Sequence, residues 1–316
     1  MNKRSIVPLL PEPGRVTYTM VGDRRYRMIV RPCGQTCMPG HCEAYSLTHP
    51  DWSTYQITNE LLGLKKHEQI RELKPLVCFH GFSESAHTWD QVYLPGYILY
   101  QIDFLGHGGS SSPENKEAYT YEALLPDIHQ IIQSRIAGTY ALMGYSQGAR
   151  FALMYALQYG DQVSRLILES GSVGLAEEDD RQARLASDQA LAQAIEEKGL
   201  EWFEGKWKEA SIFDSQKALP PEVQDRIKRR RLHNNPTGLA NALRGMGQGT
   251  MPYVGDSVGQ LSMPLLYVSG QLDTKYTTIG ETYFSQAHTI VDGVGHNVHL
   301  EAPETFSQLV YEFLEK

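Results

Sequence analysis

From Leu76 onward, short apolar runs alternate with longer stretches whose apolar residues recur at helical spacing. Short runs of this kind read as buried strands, and the periodic stretches as helices that return the chain across a sheet. The strands predicted on this basis cover residues 76–79, 97–102, 140–143, 163–168, 265–269 and 288–291. Helices are predicted over 147–159, where Gly160 supplies the stop, and over 303–313, where Pro303 occupies a tolerated first-turn position. Strands joined by helices imply an α/β architecture, a mostly parallel sheet with flanking helices.

The alternation stops between residues 171 and 249. No good strand is found there, and helical patterns cover 179–198, 200–208, 222–232 and 237–244. A helical block inserted between two core strands reads as a cap over the carboxyl edge of the sheet, where open parallel sheets bind ligands. The expected division is a core of residues 1–170 and 250–316 and an inserted helical cap of residues 171–249. The amino-terminal part is less regular. Residues 24–30 are expected as an early antiparallel strand, and 31–74 as an irregular insertion with a helix over 58–72.

Candidate chemistry begins with Gly144-Tyr145-Ser146-Gln147-Gly148, between a predicted strand and a predicted helix. A G-x-S-x-G turn in that context is the nucleophile elbow of the α/β-hydrolase fold: the glycines relieve crowding and the serine hydroxyl stands exposed. Gly255-Asp256-Ser257-Val258-Gly259 fits the same letters. No strand precedes it and Pro264 leaves no room for a helix, so Ser257 reads as a loop serine. An elbow serine takes its partners in the order acid, then histidine. Asp273 falls just beyond strand 265–269, and His296, flanked by Gly293 and Gly295, just beyond strand 288–291. The predicted triad is Ser146, Asp273 and His296. His299 is the rival base, while His107 and His80 are expected to pack or hydrogen-bond beneath the site. His80-Gly81-Phe82 follows a strand, so the backbone N–H groups of Phe82 and Gln147 are the expected oxyanion hole.

Composition narrows the partners. The 316 residues are 41% hydrophobic, enough for a large core, and carry a formal net charge of −8. That charge argues against nucleic acid and against anionic membranes; the exception is the short run Lys228-Arg229-Arg230-Arg231. No apolar stretch approaches the ~20 residues that span a bilayer. Residues 1–13, cut by Pro8, Pro11 and Pro13, make a poor signal peptide, so a cytoplasmic location is expected. Cys78 sits in an apolar run and reads as a buried small hydrophobe. Cys33, Cys37 and Cys42 cluster with His41, yet their spacing fits no zinc knuckle and Gly34, Pro39 and Gly40 read as a loop. They are expected as free thiols, and neither a metal nor a cofactor is expected.

Beyond the triad, the chain from about Pro75 to its end resembles the menaquinone-pathway 2-succinyl-6-hydroxy-2,4-cyclohexadiene-1-carboxylate synthases. The matching stretches include His80-Gly81-Phe82-Ser83-Glu84-Ser85 and Gly144-Tyr145-Ser146-Gln147-Gly148-Ala149-Arg150. Asn234-Asn235-Pro236-Thr237-Gly238-Leu239-Ala240, Asp273-Thr274-Lys275-Tyr276 and Gly295-His296-Asn297 match as well. The resemblance implies a lyase in which the triad removes a proton and pyruvate is expelled, with no acyl-enzyme. It implies substrate-binding roles for Arg150, Arg184 and Arg231, which would clamp the carboxylates of a small polycarboxylate substrate, and pocket roles for Tyr145 and Trp207. Ala149, Ser172-Val173 and Tyr276 depart from the family's pattern, and the family reaches the His-Gly loop in far fewer residues. The residues alone leave open a carboxylesterase or carbon–carbon bond hydrolase with the same triad. They also leave open a non-catalytic ligand-binding protein, against which stands a complete triad.

Overall fold

The computed structural model describes residues 14–33 and 73–316. Eight strands form one sheet: β1 (Arg15–Val21), β2 (Arg24–Cys33), β3 (Lys74–Phe79), β4 (Tyr97–Ile102), β5 (Tyr140–Tyr145), β6 (Val163–Glu169), β7 (Leu265–Gly270) and β8 (His288–Val291). Their spatial order is β1-β2-β4-β3-β5-β6-β7-β8. β2 pairs antiparallel with both β1 and β4, and the remaining pairs are parallel. β4 and β5 are buried at every position, as expected of parallel strands covered on both faces.

The amino-terminal strands differ from the sequence expectation. β1 was not foreseen, and β2 continues three residues past 30, so Arg31 and Cys33 belong to the sheet and not to an irregular insertion. Pro32 is tolerated because β1 pairs with β2 only as far as Val30, leaving residues 31–33 paired on one side alone. Lys74, at the other end of the expected insertion, opens β3. Cys33 is therefore no loop thiol: it is buried in the same apolar cluster as Cys78. Cys37, Cys42, His41 and the helix expected over 58–72 lie outside the described residues.

Helices cover both faces. α1 (Tyr121–Gln133) and α2 (Gln147–Tyr159) lie on one side, with Phe79, Phe104, Phe151 and Tyr155 in the core beneath them. α2 approaches β3 so closely that a Cβ on Gly148 would fall 2.2 Å from the Phe79 carbonyl oxygen, which only glycine permits. Between β6 and β7 come α3 (Glu178–Trp207), α4 (Pro221–Leu232) and α5 (Pro236–Met246). α3 breaks at Gly199, whose φ of 79° lies in the left-handed region, at the boundary expected between 198 and 200. α3 and α5 bury Ala192, Ile195, Phe203, Leu239, Ala240 and Leu243 together, and Phe82 from the loop after β3 packs against them. Asn234 pins them to the core: its Nδ2 donates to the Ser83 carbonyl at 2.8 Å and its Oδ1 accepts from Gly108 N at 3.0 Å. α6 (Thr274–Tyr283), α7 (Val298–Glu301) and α8 (Pro303–Leu314) complete the chain. Among the described residues, no helix is long and apolar enough to cross a membrane.

Candidate active site

Ser146 stands between β5 and α2 with φ 52° and ψ −108°, a conformation that costs a non-glycine residue energy. The turn is held from both sides, because Ser146 N donates to the Glu169 carbonyl at 2.8 Å and the Ser146 carbonyl accepts from Arg150 N at 3.0 Å. His296 Nε2 lies 2.9 Å from Ser146 Oγ, and His296 Nδ1 lies 2.6 Å from Asp273 Oδ2. A carboxylate can only accept, so Nδ1 carries the proton and Nε2 is free to take one from the serine hydroxyl. Asp273 also caps α6, its Oδ1 accepting from Tyr276 N at 3.4 Å. Glu301 brackets the histidine loop: its carboxylate accepts from Gly295 N at 2.7 Å, Asn297 N at 3.4 Å and Ser215 Oγ at 3.0 Å. The structure thus brings Ser146, Asp273 and His296 together from beyond the ends of three strands, β5, β7 and β8. Ser257 sits in a short turn, Gly255–Gln260, and not between strand and helix.

The other histidines are engaged elsewhere. His299 is fully buried, with Nδ1 2.7 Å from Glu169 Oε2 and Nε2 2.7 Å from Thr88 Oγ1. His80 donates from Nδ1 to the Gly81 carbonyl at 2.7 Å and accepts from Phe104 N at Nε2, 3.1 Å away. It is locked neutral, and burial holds its pKa below the ordinary value. His107 donates to the Leu105 carbonyl, while its Nε2 is buried without a partner. Burial and the neighbouring His80 ring push its pKa down to about 3.

The loop carrying Phe82 runs against the elbow, close enough that a Cβ on Gly81 would lie 3.6 Å from Ser146 Cβ. Phe82 and Gln147 therefore flank the serine from two loops. The Phe82 ring meets Trp207 at 5.4 Å and Phe203 at 5.9 Å, and Phe213 continues the aromatic wall, 5.8 Å from Trp207 and 6.1 Å from His296. Tyr145 lies 5.3 Å from the His296 ring. Arg231 is buried with its guanidinium 5.0 Å above the Phe213 ring, and burial lowers its pKa. The adjacent Arg230 points away, pairing with Glu84 at 2.9 Å. Arg150 is buried, donating to the Met246 carbonyl at 3.0 Å. Arg184 donates to Asp188 Oδ1 and to Gln248 Oε1, both at 2.8 Å. A cavity of about 340 Å³ lined by Leu185, Asp188, Gln189, Leu243 and Arg244 is a separate feature, bordered by none of Ser146, Asp273 and His296.

Four residues around the triad were not singled out in the sequence: Phe213, Glu169, Gln248 and Lys275. Phe213 lies in a short turn, Ser211–Ala218, with no helical period to mark it. Glu169 ends β6, and an acidic residue closing an apolar strand was the available signal. Gln248 and Lys275 come from separate connections, and no local pattern joins them.

Comparison with known proteins identifies the family of the fold. Residues 74–303 match the α/β-hydrolase-fold family profile. The 2-succinyl-6-hydroxy-2,4-cyclohexadiene-1-carboxylate synthase of Yersinia pseudotuberculosis serotype O:3 is 30% identical over 245 residues, 76% of this chain and 87% of its own. A Bacillus subtilis (strain 168) relative, which bears that synthase name provisionally, is 37% identical over 246 residues, 76% of this chain and 89% of its own. The structure of MenH from S. aureus superposes with a TM-score of 0.73 at 30% identity, covering 77% of this chain and 93% of that one. A malate-bound esterase of Thermogutta terrifontis reaches a TM-score of 0.69 at 20% identity, over 95% of this chain and 98% of its own, a likeness of fold alone.

Proposed function

Because this chain belongs to the α/β-hydrolase-fold family and, within it, to the 2-succinyl-6-hydroxy-2,4-cyclohexadiene-1-carboxylate synthases, we propose that it is a pyruvate-eliminating lyase of menaquinone biosynthesis. Its substrate is then 2-succinyl-5-enolpyruvyl-6-hydroxy-3-cyclohexene-1-carboxylate. His296, oriented by Asp273, draws the proton from Ser146 Oγ, and the serine oxygen takes a proton from the ring carbon next to the succinyl ketone. Negative charge moves to the ketone oxygen, which the N–H groups of Phe82 and Gln147 receive. As the enolate collapses, the ring double bond shifts, the carbon–oxygen bond to the enolpyruvyl group breaks, and a conjugated diene remains. Pyruvate leaves as its enolate with the displaced electron pair, takes up the proton that His296 had drawn from Ser146, and ketonises, which returns the triad to its starting state. No bond to Ser146 forms.

The observation that carries this reading is the state of two arginines. Arg150 and Arg231 are buried, and each keeps an Nε without a hydrogen-bond partner. Buried guanidinium groups with donors to spare suit a substrate bearing several carboxylates, and a neutral ester has no use for them. Tyr145 and Trp207 complete the pocket wall, Trp207 with its own unpartnered Nε1. On this reading residues 171–249 form a cap over a core of 1–170 and 250–316, and the enzyme acts in the cytoplasm.

The test is direct: the protein is supplied with the cyclohexene substrate and pyruvate release is followed. Arg150→Ala and Arg231→Ala should each cost roughly 2–4 kcal/mol in kcat/KM. Brisk hydrolysis of a p-nitrophenyl ester with no pyruvate released would put the esterase reading in its place.

A further inference from the structure

The turn that places Asp273 against His296 also carries a lysine for which the mechanism above has no use. Lys275 is the second residue of α6. As a residue it is exposed, yet its ammonium turns inward: Nζ lies 5.5 Å from the centre of the Tyr276 ring and 3.5 Å from Gln248 Oε1. The Tyr276 ring is itself 4.6 Å from the ring of His296.

Gln248 explains why the ammonium stops there. It is buried, and its amide nitrogen donates to Ser172 Oγ at 3.2 Å, which fixes the side-chain oxygen toward Lys275. The same oxygen accepts from Arg184 Nη1 at 2.8 Å. Two cations thus converge on one neutral acceptor. The carboxylates nearby do not balance them: Asp188 is engaged by Arg184 Nε, and Asp273 is engaged by His296. Arg150 adds a third positive charge on the same side. Partial burial and the charges of Arg184 and Arg150, in that order, lower the pKa of Lys275. Like charges gathered around a single amide oxygen are unfavourable until an anion joins them.

We propose that Lys275 is a substrate-binding residue, which with Arg184 holds one carboxylate of the substrate at the solvent-facing end of the pocket, beside Gln248. Arg184 is itself partly open to solvent, with 35% of its side chain accessible, whereas Arg231 is sealed beneath the aromatic wall. The pocket has two poles, an open one of Lys275 and Arg184 and a closed one of Arg231. A carboxylate docked at the first pole anchors the substrate on the turn that orients the catalytic histidine. The proposal rests on the polycarboxylate reading of the site.

Kinetics and calorimetry on the full chain test it. Lys275→Ala should raise KM for the cyclohexene substrate about tenfold or more, as expected for loss of one hydrogen bond to a charged group, with kcat altered much less. Lys275→Arg should restore most of the loss, because it keeps the charge. Arg184→Ala combined with Lys275→Ala should cost less than the product of the single losses, since both residues serve one carboxylate, while Lys275→Ala and Arg231→Ala should multiply. Lys198→Ala, at an exposed lysine of α3, controls for general charge and should change nothing. Unchanged KM in both Lys275→Ala and Lys275→Gln, with normal folding, overturns the proposal. Titration with tricarballylate, a small tricarboxylate, separates this from the reaction assignment: Lys275→Ala should bind it about tenfold more weakly than wild type. Weakened binding in a protein that releases no pyruvate supports the lysine and defeats the lyase reading. Equal binding by both proteins, or none by wild type, defeats the lysine.

Discussion

Two histidines on neighbouring turns each hold a carboxylate at nearly the same distance, 2.6 Å for His296 and Asp273 and 2.7 Å for His299 and Glu169. In both, Nδ1 faces the acid and Nε2 faces a hydroxyl: Ser146 for the first, Thr88 for the second. The pairs differ in what surrounds the hydroxyl. Ser146 stands on a strained turn at the sheet's edge, against the aromatic wall and the buried arginines. Thr88 is buried in a short turn, and the His299 ring, with no accessible surface, lies 4.4 Å from the Trp89 ring at an angle of 31°. A hydroxyl, an imidazole and an acid in a row therefore do not make a catalyst. The hydroxyl of the first pair belongs to a residue partly open to solvent, whereas the second pair is sealed and ties β6 to the turn after β3.

The widest separation between the two pairs should come from Ser146→Ala. Loss of pyruvate release between ~10³-fold and ~10⁶-fold in kcat is expected, with folding intact. Retained turnover would show that the elbow serine is not the base. The converse change, His299→Ala, leaves Glu169 buried without its partner. Unfolding free energy should fall by roughly 3–5 kcal/mol in denaturant titrations, with kcat per folded molecule largely kept. If instead stability holds and turnover collapses, the assignment of roles is reversed.

His107 sharpens the contrast, since it is sealed like His299 but has no carboxylate. Its folded pKa of about 3 lies below the ordinary value of 6.5. Between those limits the unfolded chain binds a proton that the native state refuses. Stability from this group is therefore present above pH 6.5 and is lost as the pH falls toward 3, at up to ~1.4 kcal/mol per pH unit. Unfolding titrations at pH 7 and pH 5 should differ by roughly 2 kcal/mol on this account, and His107→Gln should remove that share. Identical slopes in wild type and variant would contradict it. The smallest effect belongs to Ser257→Ala, where turnover should stay within about twofold of wild type, as for substitutions away from any site.

What could be read in advance depended on how locally each feature is encoded. The elbow, Asp273 and His296 each follow directly on an apolar run, so a few residues of context sufficed to find them. The break of α3 at Gly199 was equally local. β1 alternates at the right period but its apolar row faces outward, with Val16, Tyr18 and Met20 exposed at 48%, 51% and 54%, so it carries no buried apolar run to mark it in the sequence. α1 was missed because Pro126 lies within it, a residue that ordinarily ends a helical pattern. Lys275, Gln248 and Arg184 come from three separate segments. Their meeting is a property of the fold, which no window of sequence contains.

The dihedral angles of Ser146 carry an evolutionary implication. Holding a serine at φ 52° and ψ −108° opposes folding by ~1–3 kcal/mol, and the surrounding strands and helix must outweigh that at every generation. On the proposed role of Ser146, selection for the reaction keeps a side chain there. In a lineage released from that demand, drift should replace the serine with glycine, the residue that adopts this backbone at least cost. A glycine at the elbow of a descendant would then be a mark of lost chemistry in a fold grown more stable for losing it.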